Sequence, residues 1–414
     1  RSSDLSATMV KAGLYLIARI TPIFAISEGW VWTITLVGLI TLFWASLNAT
    51  KQHDLKGILA FSTVSQLGMI MSMLGIGAVS YHYQGANSQL YVAGFVAAIF
   101  HLINHATFKG ALFMITGGID HSTGTRDVKK LGGLLTIMPI SFTLTVITTL
   151  SMAGVPPFNG FLSKEKFLES MINVTHLNLM SLNTLGILLP IIAIIGSIFT
   201  FVYSIKFILH IFFGSYKPEA LPKQAHESSI LMLISPIILT SLVIVFGLFP
   251  SILTQSIIEP ASVAVSQTSN ITAEFHLFHG ITPAFLSTIG IYIIGILLLI
   301  SFSYWVRLLQ AHPYQLTLNH WYDTSGQRIP GYSENITNSY VTGFSRNNLV
   351  IILGILIALT FVTVISVPFS IDFKNVSHLR VFEGATVLFL LIASTFIIFA
   401  KSRLFSIIML SAVG

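Results

Sequence analysis

Long apolar runs separated by short polar ones make up nearly the whole chain. The runs lie at about 5–20, 31–49, 54–76, 90–118, 131–170, 184–212, 230–250, 281–306, 348–369 and 381–400, and another begins after Lys401. A helix needs about 20 residues to cross roughly 30 Å of hydrocarbon. The runs are continuous, whereas the strands of membrane barrels alternate apolar and polar positions. The pattern predicts an all-α, polytopic transmembrane helix bundle of about 10–11 spans.

One run is anomalous. Residues 131–170 would form roughly 60 Å of helix, twice the membrane thickness. Its middle reads Ala153-Gly154-Val155-Pro156-Pro157-Phe158-Asn159-Gly160. Tandem proline removes two donors and stops a helix, and glycine permits a turn. The run therefore predicts one discontinuous (broken) helix, with halves at about 134–153 and 160–172. Irregular backbone at membrane depth survives only inside protein or beside a wet cavity, and broken helices in transporters mark ion or substrate sites.

Charge then sets orientation. Lys51, Lys56, Arg126, Lys129, Lys130, Lys217, Lys223, Arg307, Arg328, Arg346, Lys401 and Arg403 fall in alternate loops, which assigns those loops to the cytoplasm. Loops 77–89, 171–183 and 251–279 carry no Lys or Arg. Loop 370–378 departs from the rule with Lys374, and Arg380 follows it. The polar stretch 307–346 is the longest between spans. Four Asn-x-Ser/Thr matches (Asn173, Asn270, Asn335, Asn375) are read as chance, because Asn335 falls on the cytoplasmic side.

Composition sharpens the class. Charged residues make up 9% and hydrophobic ones 54%, and mean hydropathy is +0.83. A soluble domain carries about 25% charged residues, and disorder needs low hydrophobicity, so both classes are excluded. There is no cysteine, hence no disulfide, thiolate ligand or thiol nucleophile. The net charge of +6 reads as cytoplasmic loops rather than as a nucleic-acid surface. The first residue is Arg and the last ones lie inside an apolar stretch, so the chain is expected to be a piece of a longer protein.

Ionisable residues inside the bilayer are costly and are functional candidates by default. His101, His105 and Lys109 sit at i, i+4 and i+8 on one helical face, within an arc of about 80°. A neutral imidazole accepts at one nitrogen and donates at the other, and a lysine in low dielectric gives up its proton more readily. One such histidine is as readily satisfied by a carbonyl; three groups on one stripe read as a proton relay. A zinc site is disfavoured, since Leu102 stands where a metal-binding His-Glu-x-x-His needs its Glu. Lys164 follows the predicted break and belongs at the interior end of the second half-helix, with Glu165 as its local counter-charge. Lys166 and Glu169 are expected to face outer water. Lys56 lies a turn from the cytoplasmic end, where it either snorkels or joins a wet path with Ser62, Thr63, Ser65 and Gln66. Lys11 is at mid-membrane if its helix extends upstream. Motifs for nucleotides, cofactors and metals are absent, so no cofactor and no metal are expected.

These residues carry a family resemblance. The stretches Ala7–Arg19, Asp54–Gly68, Phe100–Lys109 and Gly160–Glu165 resemble, in the same order, the antiporter-like subunits of respiratory complex I and of Mrp-type Na+/H+ antiporters. Within them the large A subunits of Mrp antiporters fit best, through Met9-Val-Lys-Ala-Gly13, Phe382-Glu383-Gly and Lys401-Ser-Arg-Leu404. The match is close over about 5–215 and weaker beyond. That family has two inverted five-helix repeats, each with a broken helix. The resemblance implies that the runs from 31 to 212 form the second repeat and that 5–20 ends the first. It also implies that Lys56, His101, His105, Lys109 and Lys164 lie on a polar axis along the membrane midplane. The first repeat and its glutamate–lysine pair are missing here. Arg1-Ser-Ser-Asp-Leu5 stands where the family usually has a His just before its Ser-Ala-Thr-Met-Val. No long amphipathic lateral helix of the complex I type is evident.

The expected organisation is a proton-translocation domain at 1–215, connecting helices and a cytoplasmic loop at 216–346, and the start of a further membrane domain at 347–414. The expected function is a subunit of a multisubunit Na+/H+ antiporter, a secondary transporter rather than an enzyme, in the bacterial cell membrane. Its expected partners are small membrane subunits of the complex, H+, Na+ and the lipid bilayer, with no nucleic acid. The alternatives are a proton-pumping subunit of an NADH-quinone oxidoreductase and a non-transporting assembly scaffold.

Overall fold

A computed structural model describes residues 9–83, 86–174, 185–268, 271–278, 280–310, 318–340, 345–366, 381–400 and 402–413. Lys374, Arg380, Lys401 and the greater part of loop 171–183 lie outside the described residues. Among the described residues the elements are helices: α1 (Ala12–Phe24), α2 (Glu28–Lys51), α3 (Leu55–Ala78), α4 (Ala86–Thr123), α5 (Pro139–Ala153), α6 (Asn159–Asn173), α7 (Leu185–Phe212), α8 (Ile230–Leu248), α9 (Glu259–Ser266), α10 (Pro283–Ile300), α11 (Phe302–Gln310), α12 (Leu318–Tyr340), α13 (Ser345–Ser366), α14 (Val381–Phe399) and α15 (Arg403–Val413). Among the described residues, eight helical stretches, including Glu28–Lys51, Ser88–Thr123 and Gly186–Phe212, are long and apolar enough to cross a membrane. The chain is a polytopic helical bundle.

Local chemistry sets the boundaries. Asp54 caps α3, its carboxylate accepting from the Gly57 amide at 2.7 Å. α5 opens on Pro139 and closes at Gly154, whose φ of +83 is the left-handed conformation that glycine adopts freely. The Val155 amide folds back onto the Leu150 carbonyl at 2.9 Å, and Pro156 and Pro157 then prevent the helix from continuing. The run 131–170 thus holds two helices of 15 residues each, joined by residues 154–158.

Three boundaries differ from the apolar pattern. α4 passes the glycines at 117 and 118, where the apolar run ends, and continues to Thr123. The apolar run 281–306 is divided at Ser301. The polar stretch 307–346 contains the 23-residue helix α12, which Gly326, Pro330 and Gly331 concealed in the sequence. Trp321, Tyr322, Ile329, Tyr332 and Ile336 recur on one side of it, an arc of about 100° at helical spacing, so α12 is amphipathic.

The chain divides into two compact units, residues 1–312 and 313–414. In the first, α4 is central and packs against α3, α5, α6, α8 and α9. Of the apolar clusters around it, two are the largest. One gathers Met69, Met73, Phe95, Ala98 and Phe201; the other gathers Leu55, Leu59, Phe108, Leu112, Ile115 and Phe207. Between the clusters, α3 turns polar at 62–66 and α4 at 101–107. A polar layer therefore lies inside the apolar bundle.

Candidate functional site

The buried polar layer is assembled from α3, α4, α5, α6 and α7. α4 supplies His101, Asn104, His105 and Lys109, all fully buried. The His101 Nε2 lies 2.8 Å from the Gln66 Oε1, and its Nδ1 lies 2.8 Å from the Ser163 hydroxyl. An amide oxygen only accepts, so Nε2 donates to Gln66 and Nδ1 accepts from Ser163 in the neutral ring. If Nδ1 is protonated it donates to the Ser163 oxygen, and the hydroxyl turns to the Gly160 carbonyl 3.2 Å away. Both protonation states of His101 therefore find partners.

Asn159 anchors the start of α6. Its amide donates to the Asn104 Oδ1 at 3.0 Å and to the Thr107 hydroxyl at 3.3 Å, and its Oδ1 accepts from Ser151 at 2.7 Å. The Ser151 hydroxyl also accepts from the Gly160 amide at 3.1 Å. A Cβ at Gly160 would overlap the Ser151 carbonyl, which shows how closely α5 and α6 meet. Gln66 extends the layer by donating to the Tyr203 hydroxyl at 3.2 Å.

Two lysines of the layer have oxygen partners of neutral groups. Lys164 Nζ donates to the Met152 carbonyl at 2.6 Å, at the C-terminal end of α5, where the helix dipole favours a cation. Lys109 Nζ donates to the Ser62 hydroxyl and to the Leu59 carbonyl, the latter at 3.3 Å. His105 is fully buried with no hydrogen-bond partner on either ring nitrogen; its ring stands 6.4 Å from His101 and edge-on to Phe108 at 5.5 Å. The stripe His101–His105–Lys109 thus shares one helix but reaches different neighbours.

Of the remaining candidates, Lys11 lies close enough to His105 and His101 to act on both electrostatically. Lys11 is buried at the start of α1, at 7% exposure. Lys56 Nζ pairs with the Asp120 carboxylate at 2.9 Å, both half-buried. Glu165 is buried and lines a cavity of about 210 Å3 with Lys166, Glu169, Asn173 and Thr282. It is not the counter-charge of Lys164: successive helical positions point about 100° apart, and the Lys164 ammonium turns to Met152 instead. Lys166 pairs with Glu169 at 2.9 Å at a partly exposed site. Among the described residues no three His, Asp or Glu side chains gather as a metal site.

Several residues of the layer escaped the sequence reading. Asn104, Asn159, Ser163 and Tyr203 are uncharged and carried no signal except polarity inside apolar runs, whereas Gln66 was already placed on a wet path with Ser62, Thr63 and Ser65. Lys206 was also missed. It is 2% exposed, donates to the Thr50 carbonyl at 2.6 Å, and lies 4.7 Å over the Phe302 ring. Outside the spans, burial lowers His53 from the usual imidazole range, with Lys129 and Lys206 adding to the shift and Asp127 opposing it.

Fold and site together define a helical membrane bundle with an ionisable layer at its interior. Residues 2–190 match the family described as NADH:quinone oxidoreductase/Mrp antiporter, transmembrane. The chain is 73% identical over 409 residues to the Na(+)/H(+) antiporter subunit A1 of Staphylococcus haemolyticus (strain JCSC1435) and 75% identical to that of Staphylococcus aureus (strain Newman). Each alignment covers 99% of this chain and 51% of the relative, so the chain spans about half the length of the curated relatives it matches. Among solved structures, the Mrp complex from Dietzia sp. DQ12-45-1b matches with a TM-score of 0.65 and 28% identity, covering 99% of this chain and 42% of that one. An archaeal membrane-bound sulfane sulfur reductase shares the fold, with a TM-score of 0.58 and 23% identity over 86% of this chain and 62% of that one. The resemblance to the large Mrp subunits, drawn from four motifs, is borne out.

Proposed function

We propose that this chain is the part of a multisubunit Na+/H+ antiporter that carries protons across the bacterial cell membrane, through hydrated half-channels joined by the buried layer. The chain is then part of a secondary transporter and not an enzyme. Its partners are the other membrane subunits, H+, Na+ and the lipid bilayer. Residues 1–215 form the translocation domain, 216–346 the connection and 347–414 the start of a further membrane domain. Helices α5 and α6 act together as one discontinuous span.

The observation that carries this reading is a pair of buried lysines, Lys109 and Lys164, held by carbonyl and hydroxyl oxygens rather than carboxylates. A carboxylate would hold an ammonium in a fixed ion pair, whereas neutral oxygens accommodate amine and ammonium alike. Between them His101 has partners for both of its protonation states, and both ring nitrogens of His105 are left open for water. A proton taken at one lysine passes through the imidazoles to the other. Lys11, Lys56 and Glu165 lie on the approaches to this axis.

Lys109→Ala and Lys164→Ala are each expected to reduce Na+-dependent proton exchange in everted vesicles to background, with the complex still assembled. Exchange at the wild-type rate in both variants would remove the relay. The alternative is a proton-pumping subunit driven by NADH oxidation, a class that the family description also names. Exchange driven by a sodium gradient without NADH distinguishes the two.

A further inference from the structure

At one end of the bundle the turn before α3 is stitched to the segment after α4. The Val128 amide donates to the His53 carbonyl at 2.8 Å, and the Leu55 amide donates to the Arg126 carbonyl at 3.0 Å. These bonds border a shallow polar cavity of about 660 Å3, widely open to solvent and lined by residues that include His53, Asp54, Asp120, Arg126, Asp127 and Lys129. Asp120 is the lining residue that also belongs to the transmembrane helix α4, and it holds Lys56 of α3 at 2.9 Å.

Behind this pair the same helix face leads inward. Lys109, Thr116 and Asp120 fall within an arc of about 40° on α4, with Thr116 roughly 6 Å from the level of Asp120 and roughly 10 Å from that of Lys109. Thr116 is fully buried, and its hydroxyl has no hydrogen-bond partner in the protein. Thr123, on the same helix, instead returns its hydroxyl to the carbonyl four residues back. A buried hydroxyl left open in this way suits a water between Asp120 and Lys109.

We infer that Asp120, paired with Lys56, is the port through which hydrated protons pass between this cavity and the buried layer. The inference rests on the proton-carrying reading of that layer. A hydronium ion in the cavity gives its proton to the Asp120 carboxylate and becomes water. The neutral carboxyl no longer attracts Lys56, so the pair separates and uncovers the face behind it. The carboxyl then releases its proton to water beside Thr116 and returns to carboxylate, and that proton is taken up by the Lys109 amine. The other charged groups of the mouth are Arg126, whose Nε lies 3.3 Å from the Asp54 carboxylate, Asp127 and Lys129.

The absence of cysteine gives a direct test. In the assembled complex Thr116→Cys is treated with a membrane-impermeant cationic thiol reagent on the side of the 124–130 segment. Labelling of this subunit is expected to be slow with Lys56 and Asp120 intact and at least tenfold faster with Asp120→Asn. Equal labelling rates overturn the port. Exchange is read alongside: Asp120→Asn is expected to lose at least nine-tenths of it, and Asp120→Glu to keep most. Full exchange in Asp120→Asn also overturns the proposal. Labelling does not depend on transport, so loss of the relay reading through active Lys109 and Lys164 variants is distinguishable from loss of the port.

Discussion

The same two helices, α3 and α4, handle charge in opposite ways along their length. In the interior, Lys109 is fully buried and donates to the Ser62 hydroxyl and the Leu59 carbonyl. Two to three turns away, Lys56 is half-buried and has a carboxylate partner in Asp120. A fixed ion pair in low dielectric is hard to separate, while at a wet mouth it is worth little and opens readily. On these two helices the interior lysine is held by neutral oxygens and the lysine at the mouth by a carboxylate. Lys164 follows the interior pattern, resting on the Met152 carbonyl although Glu165 is its neighbour in sequence.

The largest effect is expected from removing that contrast. Ser62→Asp places a carboxylate beside Lys109 and creates an interior ion pair. Proton exchange per assembled complex is expected to fall more than tenfold, as measured by sodium-driven pH changes in vesicles. Unchanged exchange would mean that the neutral character of the Lys109 partners has no role.

Asn159→Ala comes next. It leaves Asn104 and Ser151 without their partner inside the layer, and each buried group so orphaned costs about 1–3 kcal/mol. The purified complex should melt several degrees lower, and exchange should fall with it. Lys206→Met is smaller. Lys206 is a buried cation outside the layer that caps the end of α2 through the Thr50 carbonyl, an interaction worth about 1–2 kcal/mol. Thermal stability should drop modestly while exchange per assembled complex stays within twofold. The smallest change is Glu169→Ala, which removes a partly exposed pair with Lys166 worth less than about 1 kcal/mol. Its melting temperature should be indistinguishable from wild type.

Much of the bundle is evident in the hydrophobic pattern, because continuous apolar length is a strong signal for membrane helices. The division of 131–170 also follows from local chemistry: Gly154 and the tandem prolines terminate α5 whatever surrounds them. Glycine was less informative elsewhere. Positions 117 and 118 read as the end of a helix, yet α4 runs on because tertiary packing outweighs about 1 kcal/mol of propensity per glycine. That misplaced end kept Asp120 from view. α12 was hidden for a related reason, since Gly326, Pro330 and Gly331 interrupt its pattern at intervals too short to notice its single apolar side.

The ionisable members of the site were visible because charge inside an apolar run is rare. Their partners were not. Which oxygen receives Lys164, or which hydroxyl faces His101, depends on contacts between helices far apart in sequence, and no spacing rule within one helix reports them. Gln66 and Ser163 meet His101 from α3 and α6, and only the packed bundle brings them within 2.8 Å.

The central claim is that protons cross through the buried layer of this chain. Sodium-dependent proton exchange by the complete complex carrying Lys109→Ala and Lys164→Ala together, in everted vesicles with assembly verified, tests it most directly. The account predicts exchange at the background of vesicles lacking the antiporter. Exchange at the wild-type rate in that double variant would contradict it.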